Sequence, residues 1–179
     1  MTADQFWNIV GKVHRDSGGD MDKKCKLLDA ELRGLSLDEI VSFHRHFEEC
    51  RDQAYTRELW AAAYIIGGGC SDDAFSDFRA TLISMGHETF ERTLDDPQSL
   101  ADMDYDAETA HYEGYQYVPI QVEKELGNGQ KFPRYKPHPA EPSGKPWDED
   151  KVNELYPKLA QKYSYSVTKR RPWWQFWKN

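Results

Sequence analysis

The chain is 179 residues long, 39 % hydrophobic and 13 % aromatic, and carries a net charge of −8 with a pI near 5.2. That length fits one domain, with or without an attached tail, and is enough to bury a core without covalent staples. The acidity argues against general binding to nucleic-acid phosphates, which needs a basic surface.

The N-terminal half reads as punctuated helices. "MTADQFWNIV" has no basic region ahead of an apolar core, so no export leader is expected. Thr2 and Gln5 stand at capping-box spacing, and Phe6, Val10 and Val13 then recur on one face. "DSGGD" breaks that helix. In the next, Cys25, Leu28 and Leu32 form a stripe that stops at Gly34, a helix C-cap. Ser36 and Glu39 give a second capping box, followed by Ile40, Phe43, Phe47 and Cys50 at helical steps.

"RELWAAAYII" predicts a central helix, with Leu59, Ala63 and Ile66 on one face and Trp60 and Tyr64 on the adjacent one. Gly67, Gly68 and Gly69 end it, since each costs roughly 1 kcal/mol relative to alanine inside a helix. Ser71 or Asp72 caps the following helix, in which Phe75, Phe78, Leu82 and Met85 keep step as far as Gly86. "HETFERTLDD" is a short helix ending before Pro97, and "SLADM" a further turn.

"EGYQYVPIQVEKEL" reads either as a strand plus a helical piece or as a helix with Pro119 in its first turn, and the helix is preferred. "NGQKFPRYKPHPAEPSGKP" carries five prolines and two glycines and is expected to be irregular. A last helix follows Trp147 or Asp148, with Val152, Leu155, Leu159 and Tyr163 on its buried face and a kink at Pro157. The expected fold is mainly α, a single-domain helical bundle over 1–163 with an irregular Pro-rich segment. Residues 164–179 form a basic, aromatic C-terminal tail.

That tail, "KRRPWWQFWKN", has four basic and no acidic side chains from Lys169 onward. Arg170, Arg171, Trp173, Trp174, Phe176 and Trp177 have three readings. They fold back onto the acidic body, they dock on a partner as hot-spot residues, or they anchor at a lipid interface. No apolar run approaches the roughly 20 residues of a membrane span, so a membrane contact is expected only through the tail. Cys25, Cys50 and Cys70 are too widely spaced for a zinc site or a CxxC pair and read as reduced thiols in a cytoplasmic protein.

The polar residues of "GGGCSDD" are the first place to look for chemistry. The stretch lies between two helices and lacks the lysine of a phosphate-binding loop. Asp72 and Asp73 complement a helix N-terminus and repel a phosphate. Cys70 or Ser71 at that helix start is a possible nucleophile, which the two aspartates oppose and for which no histidine partner is evident. His44 with Glu48, and Asp73 with Asp77, stand one turn apart, with Arg79 two residues on. Such a set either binds a divalent metal or does no more than cap and pair at a packed corner, and no metal or cofactor is assigned. His14, His87, His111 and His138 have no motif company.

"MTADQFWNIV", "LWAAAYIIGGGCSDDAFSDFRATLISMG", "DDPQSLADM" and "EPSGKPWDEDKVNELYPKLAQKY" occur in that order. Together they resemble, over about residues 1–163, a bacterial family catalogued as domain of unknown function 4240. The resemblance implies a recurring motif: Tyr64, Gly68, Gly69, Cys70, Ser71, Asp72, Asp73, Phe78, Arg79, Leu82 and Gly86. It brings no reaction, cofactor or ligand.

Two function classes follow. The first is an acidic protein-binding module, such as an immunity protein neutralising a basic toxin effector, because complementary charge speeds association. The alternative is an enzyme or a small-ligand or metal-binding domain built on the glycine corner. Its pocket would lie beside Ser71, Asp72, Asp73 and Arg79, lined by Tyr64 or Trp60.

Overall fold

The computed structural model describes residues 1–103, 107, 109–128 and 136–169, the last six as backbone. Nine helices account for most of this: α1 Ala3–Ser17, α2 Met21–Arg33, α3 Leu37–Gln53, α4 Arg57–Gly67, α5 Asp72–Ile83, α6 His87–Asp95, α7 Tyr117–Leu126, α8 Val152–Leu155 and α9 Pro157–Lys169. Short 3-10 turns cover Pro97–Asp102 and Glu149–Lys151. Among the described residues there is no strand, and a single parallel bridge joins Thr56 to Ser143. The fold is mainly α, as the periodicity predicts.

Local sequence chemistry sets the helix ends. Thr2 accepts from the Gln5 N–H at 3.3 Å while the Gln5 side chain accepts from the Thr2 N–H at 2.7 Å, so the first capping box closes. At α3 the Glu39 side chain accepts from both the Ser36 N–H at 3.0 Å and the Ser36 hydroxyl at 2.6 Å. Thr56 caps α4 by accepting from the Leu59 N–H at 3.1 Å. Pro119 falls at the third residue of α7, inside the first turn, where its missing N–H removes no helical bond.

The core is aromatic and continuous through all the long helices. Phe6, Val10, Leu28, Ile40, Phe43, Phe47, Phe75, Phe78, Phe90 and Tyr115 are fully buried. Helix α4 runs through its middle with Leu59, Ala61, Ala62, Ala63 and Ile66 shielded from solvent. Its alanines present almost no side-chain bulk, which lets α5, α8 and α9 pack against it.

Three expectations shift. The buried stripe of α2 is Met21, Lys24, Leu28 and Leu32, so Lys24 takes the place expected of Cys25, which is only half-buried. Leu155, expected on a buried face, is 49 % exposed because its helix ends after one turn. Pro157 does not kink a continuous helix. It opens a new one, α9, because a proline fits a first helical position and its ring would clash with the preceding turn of a longer helix.

Residues 136–148 are irregular, as their prolines predict, yet they lie as a strap across the α3–α4 corner. The Arg57 N–H donates to Ser143 O at 2.7 Å and the Ser143 N–H donates to Tyr55 O at 3.0 Å. Trp147 Nε1 donates to Arg57 O at 2.8 Å. His138 Nδ1 lies 2.6 Å from Asp52 Oδ1, and its ring stacks on Tyr55 at 5.2 Å. Pro142 is buried beneath this ladder.

Candidate functional site

The glycine corner is built by backbone geometry. Gly68, the C-cap of α4, has φ 64, in the left-handed region that disfavours side chains. Gly67 is needed for space: a Cβ there would meet the His111 ring at 2.9 Å. Ser71, not Asp72, caps α5, accepting from the Ala74 N–H at 3.2 Å. Trp60 Nε1 donates to Cys70 O at 3.0 Å and ties the corner to α4. Asp72 and Asp73 stand exposed in the first turn of α5.

Cys70 acquires the histidine that sequence spacing did not supply. His111 Nε2 lies 3.8 Å from its sulfur. Yet burial pushes the thiol up to about 12, with Asp72 adding to the rise. A helix N-terminus therefore does not produce a thiolate here, because desolvation outweighs it.

Arg79 turns inward. It is 3 % exposed, donates from NH1 to Arg51 O at 2.8 Å and from Nε to Phe75 O at 3.4 Å. Its guanidinium carbon lies 4.6 Å from the centroid of Tyr55 and 5.0 Å from that of Phe75. Burial pushes its guanidinium down from 12.5 to about 10, and its charged neighbours are Arg51, Asp52 and Glu48. The structure therefore does not bring Arg79 together with Asp72 and Asp73.

What does assemble is a cavity of about 210 Å³ between α4 and the strap, lined by Arg57, Trp60, Tyr64, Cys70, Trp147 and Glu149. Trp60 and Tyr64 line it, whereas Ser71, Asp72, Asp73 and Arg79, beside which a pocket was expected, do not. The Tyr64 hydroxyl donates to Glu149 Oε2 at 3.1 Å, and the Tyr64 and Trp147 rings meet at 66° with centroids 5.3 Å apart. Trp147 and Glu149 escaped sequence reasoning. The usable signal was a tryptophan and three successive acids directly after a Pro-rich stretch.

A second polar set lies between α3, α5 and α7. His44 Nδ1 lies 2.6 Å from a Glu123 oxygen, and its other nitrogen is 4.0 Å from Glu48. Glu48 accepts from Arg51 at 2.8 Å, Arg51 donates to Ser76, Ser76 donates to Gln116 at 3.2 Å, and Gln116 donates to Asp77. Burial first, and Glu113 second, push Asp77 up to about 6. Asp73 stays outside this chain. Among the described residues no three His, Cys, Asp or Glu side chains are grouped to hold a metal ion. No helix among them is long and apolar enough to cross a membrane.

A family model described as a protein of unknown function, DUF4240, matches residues 1–123. The chain belongs to the DUF4240 family. No curated protein and no solved structure matches it. The DUF4240 match ends within α7, short of residue 163, so it includes Trp60, Tyr64, Cys70 and His111 but neither Trp147 nor Glu149. The cavity is thus walled on one side by the DUF4240 region and on the other by the strap. Arg170, Arg171, Trp173, Trp174, Phe176 and Trp177 lie outside the described residues.

Proposed function

We propose that this protein is an acidic protein-binding module that captures a basic partner, as an immunity protein does when it neutralises a basic toxin effector. One observation carries the reading: an aromatic cavity has a carboxylate in its lining and three more exposed carboxylates close to its lining residues in sequence. Glu149 lines it, Asp148 and Asp150 flank Glu149, and Asp72 follows Cys70 by two residues. None of these four has an ion-pair partner among the described residues, and the whole chain carries −8. Tryptophan and tyrosine in a recess are the side chains that anchor interfaces, and the surrounding charge steers an oppositely charged surface toward them. Nucleic acid does not fit this potential.

The alternative, a small-ligand or catalytic site at the glycine corner, draws on the 3.8 Å approach of Cys70 and His111. The raised thiol weighs against it, as does the cavity size, since pockets for drug-sized ligands run roughly 300–1,000 Å³.

The test is affinity capture of the tagged full chain from its native host, beside an Asp72→Lys/Glu149→Lys double variant. The expected result is a basic protein recovered with the wild type and lost with the variant. Its reconstituted association rate should fall steeply as salt rises. Recovery of the same proteins by both chains, or of no basic protein, sinks the proposal.

A further inference from the structure

We infer that the cavity between α4 and the strap is a receptor for one ammonium group, the head of a lysine side chain on the basic partner. This rests on the partner reading above and narrows it to a chemical contact. The walls are Trp60, Tyr64 and Trp147, rings whose electron-rich faces attract cations, tryptophan most strongly. Tyr64 and Trp147 stand at 66° to one another and form two sides of a corner rather than a flat stack. Glu149 supplies the formal negative charge at that corner.

The one cation in the lining is already matched. Arg57 lies 3.5 Å from Glu141, across the strap. Glu149 in the lining, Asp148 and Asp150 beside it in sequence and Asp72 two residues after Cys70 have no ion-pair partner among the described residues, and these four carboxylates outnumber the one cation of the lining. Lys145 and Lys151 are the nearby cations in sequence, and neither forms an ion pair with these acids.

Size favours lysine over arginine. A cavity of about 210 Å³ is below the range for a drug-sized molecule, roughly 300–1,000 Å³, and suits one side-chain head. Glu149 Oε2 already accepts from the Tyr64 hydroxyl at 3.1 Å. That bond takes up one of the carboxylate's roughly four acceptor sites and leaves Oε1 the more open oxygen. An ammonium is a compact charge on a flexible stem and needs one open oxygen, with the rings closing around it.

The experiment follows the tryptophan indole N–H resonances of the full chain by NMR. The titrant is Nα-acetyl-lysine methylamide chloride. The control is the uncharged norleucine analogue with matching sodium chloride. The expected result is a saturable shift of the Trp60 and Trp147 signals with the lysine compound, none with norleucine, and no movement of Trp7, which packs on Phe6 and Phe90 and does not line the cavity. Glu149→Gln, which keeps the acceptor for Tyr64 but loses the charge, should weaken binding about fivefold. Unmoved signals through high millimolar lysine compound, or equal shifts with norleucine, overturn the inference. Such a failure leaves partner capture standing on its own result. A positive titration with failed capture removes the protein partner and keeps the ammonium site.

Discussion

Lys24 shows how one side chain sets the pH response of the fold. It sits on the buried stripe of α2 at 2 % exposure, and its ammonium donates to Ser84 Oγ at 3.0 Å, with no ion-pair partner among the described residues. Burial pushes it down from 10.5 to about 8. Below that value the folded chain keeps a desolvated charge. Between about 8 and 10.5 the unfolded chain holds a proton that the folded chain has released, so rising pH favours folding. Cys50 and Cys70 act in the opposite sense above 9, because burial raises both thiols from 9.0 to about 12. Urea midpoints should therefore rise from pH 8 to 9 and then flatten. Lys24→Met fills the same space without the charge, and should add about 1–3 kcal/mol at pH 7 and abolish the rise. A lower midpoint for Lys24→Met at pH 7 would show that the ammonium is a net stabiliser.

Among the elements, the glycine corner is held by small devices that substitution can isolate. Ser71→Ala removes the cap of α5 and should cost about 1 kcal/mol in thermal or chemical unfolding. Gly67→Ala sets a methyl against the His111 ring and should cost about 1–3 kcal/mol. That variant should also disturb the Cys70 contact, read as a faster reaction of Cys70 with a thiol reagent. No change in either measurement would mean that His111 moves aside freely. Helix ends of this kind were legible in the sequence because capping is local: Thr2 with Gln5, Ser36 with Glu39 and the glycines after Ile66 all act within a turn. The direction of Arg79 was not legible. Helical spacing puts it two turns beyond Asp72, but the bond to Arg51 O depends on α3 packing against α5. Trp147 and Glu149 were hidden for the same reason, since their partners Arg57 and Tyr64 lie more than 80 residues earlier in the chain. Pro157 misled because a proline inside an apolar pattern does not say whether the helix bends or restarts.

On the scale of the whole molecule, the family match and the folding unit have different limits. Val152, Leu159 and Tyr163 are buried after the matched region ends, and α8 and α9 pack on α4. A chain cut at residue 128 would expose the apolar side of α4 to water at roughly 25 cal/mol for each Å² uncovered. It should lose its cooperative melting transition and become readily cleaved by chymotrypsin. Sharp melting of the shortened chain would instead make the last helices an accessory.

The strap adds a different consequence to that dependence. One wall of the cavity rises from α4, whose alanines and leucine are locked into the core, so substitutions there disturb the packing of several helices at once. The facing wall is carried by an irregular stretch whose side chains mostly point to water. Changes at the exposed Glu149 or Asp150 therefore alter the charge at the cavity with little effect on the bundle beneath, whereas Trp147 is tied to α4 through Arg57 O. The wall that lies beyond the first 123 residues can thus vary in charge while the scaffold beneath stays as it is.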